Sequence, residues 1–242
     1  SVKALPNWIW DNESKRILKV SIFFEWVKKN FYGLDYVFVF VLNDCSDNTE
    51  EVIKNNFSSY PYEIIKSDNK NRGSGLNLFY KLEKKGYFAI CSIDNAWSFD
   101  FYKRAFDLIK KKKYMIVYGP KTHLESNVNT TLKRKTISFF SKIYIKILFG
   151  NLIDQDTQCI KFFDSEVPFL KELHDYNYFA ETEFYLFSKI KNVPIFSISV
   201  NVKNDTKNSK VSIRSIFSFM LECLNFRFNY FKNWYWINRF FQ

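Results

Sequence analysis

The fold is decided by residues 36–53, which read YVFVFVLNDCSDNTEEVI. The first seven are apolar or aromatic without interruption, a pattern typical of a strand that is buried on both faces of a parallel sheet. A polar loop follows directly, and a helix is predicted behind it, over residues 48–57. The stretch is therefore a strand–loop–helix unit of an α/β protein.

The polar loop after this strand has two interpretations. Asp, Ser and Asn hydrogen-bond nearby backbone amides, so Asp47 or Thr49 is a candidate cap for the helix that Glu50 begins. Alternatively, open α/β sheets bind ligands at the carboxyl ends of their strands, where this loop lies. Capping does not explain the acid at the very tip of the strand, Asp44.

Strands and helices alternate on both sides of this stretch. This alternation predicts an α/β fold with a doubly wound, mostly parallel sheet flanked by helices over about the first 120 residues. The other predicted strands are 1–6, 62–67, 87–93 and 114–119, and the other predicted helices are 14–30, 75–86 (closing on Gly86) and 99–113.

The pattern loosens beyond Lys121. Residues 122–136 are polar and predict a mobile loop, residues 137–150 and 178–190 predict helices, and residues 193–202 predict a strand. The chain has no internal repeat and no linker. We therefore expect one main domain, 1–212, and a C-terminal elaboration, 213–242, of amphipathic aromatic helices close to a membrane.

Composition limits the classes of function. The 242 residues carry a formal net charge of +11, and 20% of them are aromatic. A basic, aromatic protein is suited to nucleic acid, an anionic membrane surface or phosphorylated small molecules. The four cysteines are far apart and only two histidines are present, so a structural zinc site is not expected. The sequence contains no apolar run that predicts a transmembrane helix.

Three polar clusters follow predicted strands: Asn43-Asp44, then NKNRGSGLN at 69–77, then IDNAWSFD at 93–100. In a doubly wound sheet these loops converge on one edge, which is the geometry of a nucleotide site. Gly73 and Gly75 allow close approach of backbone to a ligand, and Arg72 can complement phosphate. RGSG alone is neither a dinucleotide fingerprint nor a P-loop.

Further motifs extend this set. The most specific is DTQCIKFF at 156–163, and the others are ALPNWIWDNES (4–14), NDCSDNTEEV (43–52), NRGSGLNLFYKLEKKG (71–86), ETEF (181–184) and NSKVSI (208–213). Taken in their order along the chain, these motifs resemble those of the inverting family 2 glycosyltransferases of GT-A fold. The resemblance extends from Val2 to about Arg227. Within this family the chain is most similar to polyprenyl- and dolichyl-phosphate sugar synthases, because DTQC resembles an element of dolichyl-phosphate glucosyltransferases.

The resemblance implies a nucleotide-sugar donor and gives the acid at the strand tip a role. Asp44 would accept a hydrogen bond from the nucleobase. The other donor-binding residues that the resemblance implies are Pro6, Asn12, Glu13, Asn43, Asp47, Arg72, Gly73, Asp94 and Asn95.

The metal motif departs from the family pattern. The family carries Asp-x-Asp after its fourth strand and holds Mg²⁺ or Mn²⁺ there, whereas this chain reads CSIDNA at 91–96. Either Ala96 replaces the second acid or Ser92 replaces the first, and the second alignment is favoured. Asp94 is then the candidate metal ligand and a catalytic residue, at a weakened or lost site.

The acceptor side has its own candidates. A lipid phosphate acceptor is already an anion and needs no strong base, whereas a sugar hydroxyl needs one. The resemblance makes Asp156 the leading catalytic candidate, with Glu183 behind it. Gln158, Lys121, Arg134, Ser209 and Lys210 complete the implied acceptor and phosphate-binding set.

The predicted activity is transfer of a hexose to polyprenyl or dolichyl phosphate, with glucose from UDP-glucose as the first candidate. The expected location is cytoplasmic and peripheral at a membrane surface, with no nucleic-acid partner. Two alternatives remain: a family 2 enzyme acting on a glycan hydroxyl, and an inactive nucleotide-binding homologue. Nucleic-acid binding driven by charge ranks last.

Overall fold

A seven-stranded sheet forms the centre of the computed structural model. The structure describes residues 2–7, 20–43, 45, 48–68, 72–92, 97–128, 131–202 and 213–229. At residues 2–7, 72, 92, 133 and 134 it describes the backbone alone. The strand order is β3-β2-β1-β4-β7-β5-β8, and β6 pairs with β9 in a separate two-stranded sheet. The strands are β1 Val2–Asn7, β2 Tyr36–Asn43, β3 Tyr62–Ser67, β4 Tyr87–Ser92, β5 Ile116–Gly119, β6 Asn127–Val128, β7 Ile160–Asp164, β8 Ile195–Ser197 and β9 Asn201–Val202.

Strand β2 is buried on both faces, as its sequence predicts. Phe38 and Phe40 pack into one hydrophobic cluster, whereas Val39 and Val41 pack into the other. Alternate side chains of a strand point to opposite faces, so the two clusters lie on opposite sides of the sheet. This arrangement makes β2 an internal parallel strand, paired with β1 and β3.

Helices cover both faces of the sheet. They are α1 Val20–Asn30, α2 Thr49–Phe57, α3 Arg72–Tyr80, α4 Asp100–Lys110, α5 Leu132–Phe149, α6 Ala180–Ile190 and α7 Ile213–Asn229. Helices α1, α2 and α4 contribute to the cluster of Phe38, and α3, α5, α6 and α7 contribute to the cluster of Val39. The α/β architecture with helices on both faces confirms the predicted fold class.

Strand β7 was not predicted from the sequence. It lies between β4 and β5 and runs antiparallel to both. Four of its five residues are buried, but one of them is Lys161, which interrupts the apolar run, so neither the type of element nor its direction can be derived from the sequence. The sheet is therefore mostly parallel with one reversed strand.

Two predicted boundaries are wrong. Helix α3 ends at Tyr80, not at Gly86, because residues 82–85 leave the helix and Gly86, at φ +131°, begins the turn into β4. Helix α5 begins at Leu132, inside the segment predicted as a mobile loop. Its first turn, LKRK at 132–135, is mostly charged and therefore shows no apolar periodicity in the sequence. The strand predicted at 193–202 is divided into β8 and β9.

Helix α7 packs into the body of the protein. Cys223 and Phe226 are buried in the same cluster as α5 and α6, and the Tyr144 hydroxyl donates to the Met220 carbonyl at 2.9 Å. In the part of the chain that the structure describes, no helix is long and apolar enough to cross a bilayer. The boundary at 212/213 remains a prediction.

Candidate active site

The carboxyl ends of the parallel strands meet at one edge of the sheet. Asn43, Ser67 and Gly119 end β2, β3 and β5 there. Since β7 runs in the opposite direction, its start at Ile160 also lies at this edge, and Asp156 precedes it by four residues. The topology therefore places two of the predicted polar clusters and the DTQC element on one side of the molecule.

Several predicted site residues lie outside the described part of the chain: Asn12, Glu13, Asp44, Asp47, Asp94, Asn95, Ser209 and Lys210. Their neighbours are described. Trp97, two residues after Asn95, forms an antiparallel bridge with Val202, the last described residue before Ser209. The end of one predicted phosphate-binding loop and the beginning of the other are thus in contact.

Three further candidates are placed by their backbone alone. Pro6 lies in β1, paired in register with Cys91 at the end of β4. Arg72 is the first residue of α3, and Arg134 lies in the first turn of α5. The helix behind the β2 loop begins at Thr49, with Asn48 as its N-cap residue, so Thr49 is not the cap.

The glycines of RGSG serve close packing between protein segments. A Cβ atom at Gly73 would lie 1.4 Å from the Tyr176 carbonyl oxygen, and one at Gly75 would lie 2.6 Å from Oδ1 of the buried Asn43. The space that these residues leave open is therefore occupied by the chain itself. Packing explains both glycines, and a role of Gly73 in donor binding remains a prediction.

The loop that carries Asp156 is anchored at four successive residues. Asp154 accepts hydrogen bonds from Tyr185 and Lys189, and Gln155 accepts one from Ser197 at 2.6 Å. The Asp156 backbone N–H donates to Thr122 Oγ1 at 3.3 Å, and the Thr157 and Thr182 hydroxyls are 2.9 Å apart. Such anchoring holds a carboxylate in a defined position before a substrate binds.

The electrostatic surroundings of Asp156 are mixed. Burial raises the pKa of its carboxyl above the usual value, and the negative charge of Glu181 adds to that effect. The positive charges of Lys121 and Lys142 and the Gln158 backbone N–H lower the pKa of the same carboxyl. The Lys121 ammonium lies 5.0 Å from the centre of the Trp97 ring. Two cations thus lie within electrostatic range of the predicted catalytic acid.

Glu183, the second candidate base, lies in the core. It is fully buried, and its two carboxylate oxygens contact the backbone N–H of His174, at 3.0 Å, and the His174 ring. Burial raises the pKa of Glu183, and the bonds to His174 oppose that shift. The position of Glu183 does not support a role as a base, and its partner His174 has no role assigned by the sequence.

Sequence reasoning missed several residues around Asp156. Lys161 and Glu181 form a buried pair, with Nζ and Oε2 separated by 3.6 Å, at the start of α6. Lys161 belongs to the unpredicted strand β7, and Lys142 belongs to a helix whose relation to Asp156 is set only by the fold. The available signal for Glu181 was its spacing from Glu183 in ETEF. Residues two positions apart on a helix lie on different faces, so the two acids are expected to have different environments.

An open cleft of about 510 Å³ lies beside α3 at the same edge, lined by Lys66, Ser67, Asp68, Ser74, Asn77, Leu78, Lys81 and Asp175. It continues from the end of β3, next to the buried Asn43 at the end of β2. Among the described residues, no group of three His, Cys, Asp or Glu side chains could hold a metal ion. Asp94 does not belong to that part of the chain.

Comparison with known proteins gives the family. Residues 26–167 match the model of glycosyl transferase family 2, whereas no curated protein matches the sequence. The chain is similar to mannosyl-3-phosphoglycerate synthase from Rubrobacter xylanophilus at 11% identity and a TM-score of 0.61, over 94% of this chain and 73% of that one. It is similar to glucosyl-3-phosphoglycerate synthase from M. tuberculosis at 12% identity and a TM-score of 0.65, over 94% and 80%.

The same Mycobacterium tuberculosis enzyme has been solved with Mn²⁺, UDP and glucosyl-3-phosphoglycerate. That structure matches at 11% identity and a TM-score of 0.63, over 94% of this chain and 79% of the other. At such identities the likeness concerns the fold, which is of the GT-A type. Since the family match extends over more than half of the residues, the protein belongs to glycosyl transferase family 2.

Proposed function

We propose that the protein is an inverting glycosyltransferase that moves a hexose from a nucleotide-sugar to polyprenyl or dolichyl phosphate at the cytoplasmic face of a membrane. Glucose from UDP-glucose is the first pair to test. The observation that carries the proposal is the anchored loop of Asp156, whose carboxyl is influenced by the positive charges of Lys121 and Lys142, at the edge where the parallel strands of a family 2 fold end.

The two lysines favour a phosphorylated acceptor. An acceptor phosphate next to an isolated carboxylate would be repelled, whereas two ammonium groups offset that repulsion and bind the anion. Lys121 also contacts Trp97, directly after the loop of Asp94. We therefore propose that Lys121 interacts with the diphosphate of the donor and the phosphate of the acceptor.

In the proposed reaction, an acceptor phosphate oxygen attacks the anomeric carbon of the donor sugar. The new carbon–oxygen bond forms on the face opposite the leaving group, which inverts the configuration. The bond to the diphosphate breaks, and the nucleoside diphosphate leaves with the electron pair. A phosphate acceptor brings its own charge, so no proton has to be removed, and Asp156 orients the sugar through a hydrogen bond.

On the donor side, we propose that Asp44 and the ends of β1 and β3 hold the nucleotide, and that Arg72, Ser209 and Lys210 contact phosphate. Asp94 is the proposed ligand of Mg²⁺ or Mn²⁺, which, when bound, would offset the negative charge that develops on the leaving diphosphate. The Mn²⁺ and UDP named for the Mycobacterium tuberculosis enzyme support testing this metal and this nucleotide first.

The test is a matrix of donors and acceptors with the purified protein. UDP-glucose and GDP-mannose are each combined with dolichyl phosphate, with 3-phosphoglycerate and with a sugar that offers only hydroxyl groups, and products are identified by mass spectrometry. We expect transfer to dolichyl phosphate. Transfer to 3-phosphoglycerate alone would support a phosphorylated acceptor but contradict a lipid acceptor. Transfer to the sugar alone would contradict both a phosphorylated and a lipid acceptor.

Binding without turnover is the remaining outcome. If calorimetry shows that UDP or GDP binds, with or without Mn²⁺, and no acceptor gives product, the inactive homologue replaces the proposed enzyme. Lys142→Met serves as an internal check. We expect it to weaken the use of a phosphate acceptor while leaving the calorimetric affinity for the nucleotide unchanged.

A further inference from the structure

Helix α5 carries a row of exposed apolar side chains. Phe139, Phe140, Ile143 and Ile147 follow one another at helical spacing, with Phe140 63% and Ile147 75% exposed. The opposite side of the helix is buried, with Ile145 and Phe149 in the core. Scattered exposed apolar residues are ordinary, but a continuous row of this length marks a binding surface.

Helix α7 carries a second row. Ile213, Phe217 and Leu221 lie four residues apart, and Phe217 and Leu221 are 61% and 65% exposed. The two helices touch, with the hydrogen bond between Tyr144 and Met220 joining them, and each buries its other side in the same cluster. We refer to these two rows together as the α5–α7 surface.

The charges on the two helices are predominantly positive. Helix α5 contains no acid, and the single acid of α7, Glu222, accepts hydrogen bonds from the backbone N–H groups of Tyr178 and Phe179 within the protein. The basic residues on the two helices are Lys133, Arg134, Lys135, Lys142, Lys146, Arg214 and Arg227. Exposed apolar rows on two helices that carry seven basic residues and one acid are complementary to a surface that is both anionic and apolar.

We propose that the α5–α7 surface docks the protein on an anionic lipid bilayer. The apolar rows would enter the interface between headgroups and acyl chains, and the lysines and arginines would contact anionic headgroups. A second copy of the chain fits less well, because two such surfaces face to face would bring like charges together. Residues 230–242, which follow α7, are rich in Trp, Tyr and Phe, a composition typical of membrane interfaces.

Docking through α5 would also bring the membrane next to the site. Lys142 belongs to the same helix as the apolar row, and its charge acts on the carboxyl of Asp156. A phosphate carried by a membrane lipid would therefore reach the acceptor side without leaving the bilayer surface. The inference rests on the proposed function for the identity of that lipid, but docking itself needs neither donor nor acceptor.

The experiment is vesicle flotation of the full chain without nucleotide-sugar or polyprenyl phosphate. We expect binding to vesicles of phosphatidylcholine with phosphatidylglycerol, and weaker binding to phosphatidylcholine alone or in high salt. The double variant Phe140→Ser, Ile147→Ser should lower the partition coefficient by about tenfold or more. The double variant Lys146→Glu, Arg214→Glu should lower it by about tenfold on anionic vesicles only.

Matched controls lie on the other face of the sheet. Ile22→Ser on α1 removes an apolar side chain that is 63% exposed, and Lys110→Glu on α4 reverses an exposed charge. Both should bind vesicles as the wild type does. The proposal is overturned if the α5–α7 variants also bind like the wild type. It is equally overturned if they alter only a dimer seen by light scattering, which would make a second copy the partner.

Discussion

The role of Asp156 depends on the acceptor: it either forms a hydrogen bond to the sugar or acts as a general base. With a phosphate acceptor it makes a hydrogen bond to the sugar, so Asp156→Asn should lower kcat/KM by about tenfold to a hundredfold. With a hydroxyl acceptor it is the base, and the same change should cost about 10²–10⁴-fold. Steady-state kinetics on both acceptor classes measure the difference.

Asp164→Asn is the control for this substitution. Asp164 ends the same strand at the opposite edge of the sheet, paired with Tyr87, and its carboxylate accepts the Glu166 backbone N–H at 2.9 Å. An asparagine keeps that acceptor, so kcat/KM should not change. Equal losses in the two variants would contradict a specific role for Asp156.

The charges around Asp156 predict how activity depends on pH. Burial raises the pKa of Asp156, and Lys121 and Lys142 lower it. If the ionised carboxylate is the active form, activity falls as the pH drops through this raised pKa. Lys142→Met removes one of the positive charges that lower the pKa of Asp156, so this pKa should rise. The acidic limb of the pH profile of kcat/KM should therefore move to higher pH.

The control is Lys146→Met, which removes an exposed charge one turn further along the same helix. It should leave the acidic limb in place. The acidic limb would not report the ionisation of Asp156 if it moved to lower pH in Lys142→Met. The same conclusion would follow if it moved by the same amount in both variants.

Helix α3 is held against the segment that leads into α6 by a contact that permits no side chain. A Cβ atom at Gly73 would meet the Tyr176 carbonyl oxygen at 1.4 Å and the Ala180 Cβ at 3.2 Å. Gly73→Ala therefore forces α3 away from the Tyr176 backbone and the start of α6, and we expect a loss of about 3 kcal/mol in the free energy of unfolding. Urea denaturation followed by circular dichroism measures it.

Gly33→Ala separates this clash from the general cost of replacing a glycine. Gly33 has φ +80° and no atom within 4 Å of the added Cβ, so only backbone strain opposes the change. We expect a loss of about 1 kcal/mol there. If Gly73→Ala costs no more than Gly33→Ala, the close approach of α3 to the Tyr176 backbone is not a packing constraint.

The elements that the sequence predicted share a simple property: each has a local signal. The unbroken apolar run of β2 and the amphipathic period of α4 are visible in any short window. Strand β7 and the first turn of α5 lack such a signal, because the direction of β7 depends on its neighbours and the turn, LKRK, is mostly charged. Local patterns predict elements, whereas contacts between distant segments set strand direction and helix ends.

At the scale of the whole molecule, the same distinction applies to the site. The convergence of loops on one edge follows from the alternation of strands and helices, and DTQC located Asp156. Lys142 and the Lys161–Glu181 pair became visible only when the fold brought α5, β7 and α6 together. A spacing in sequence could not predict them, because they are distant from one another along the chain.

The predicted domain boundary at 212/213 can be tested by comparing truncated chains with the full chain. A chain ending at 212 lacks Phe226, whose ring centre lies 5.0 Å from that of Phe179, and Glu222, which accepts the N–H groups at the start of α6. We expect it to lose about 4 kcal/mol or more, a large part of the stability of a domain. A chain ending at 229 should keep the thermal midpoint of the full chain, as measured by circular dichroism. If the shorter chain also keeps that midpoint, residues 213–242 form the separate elaboration that the sequence predicts, and α7 is not part of the core.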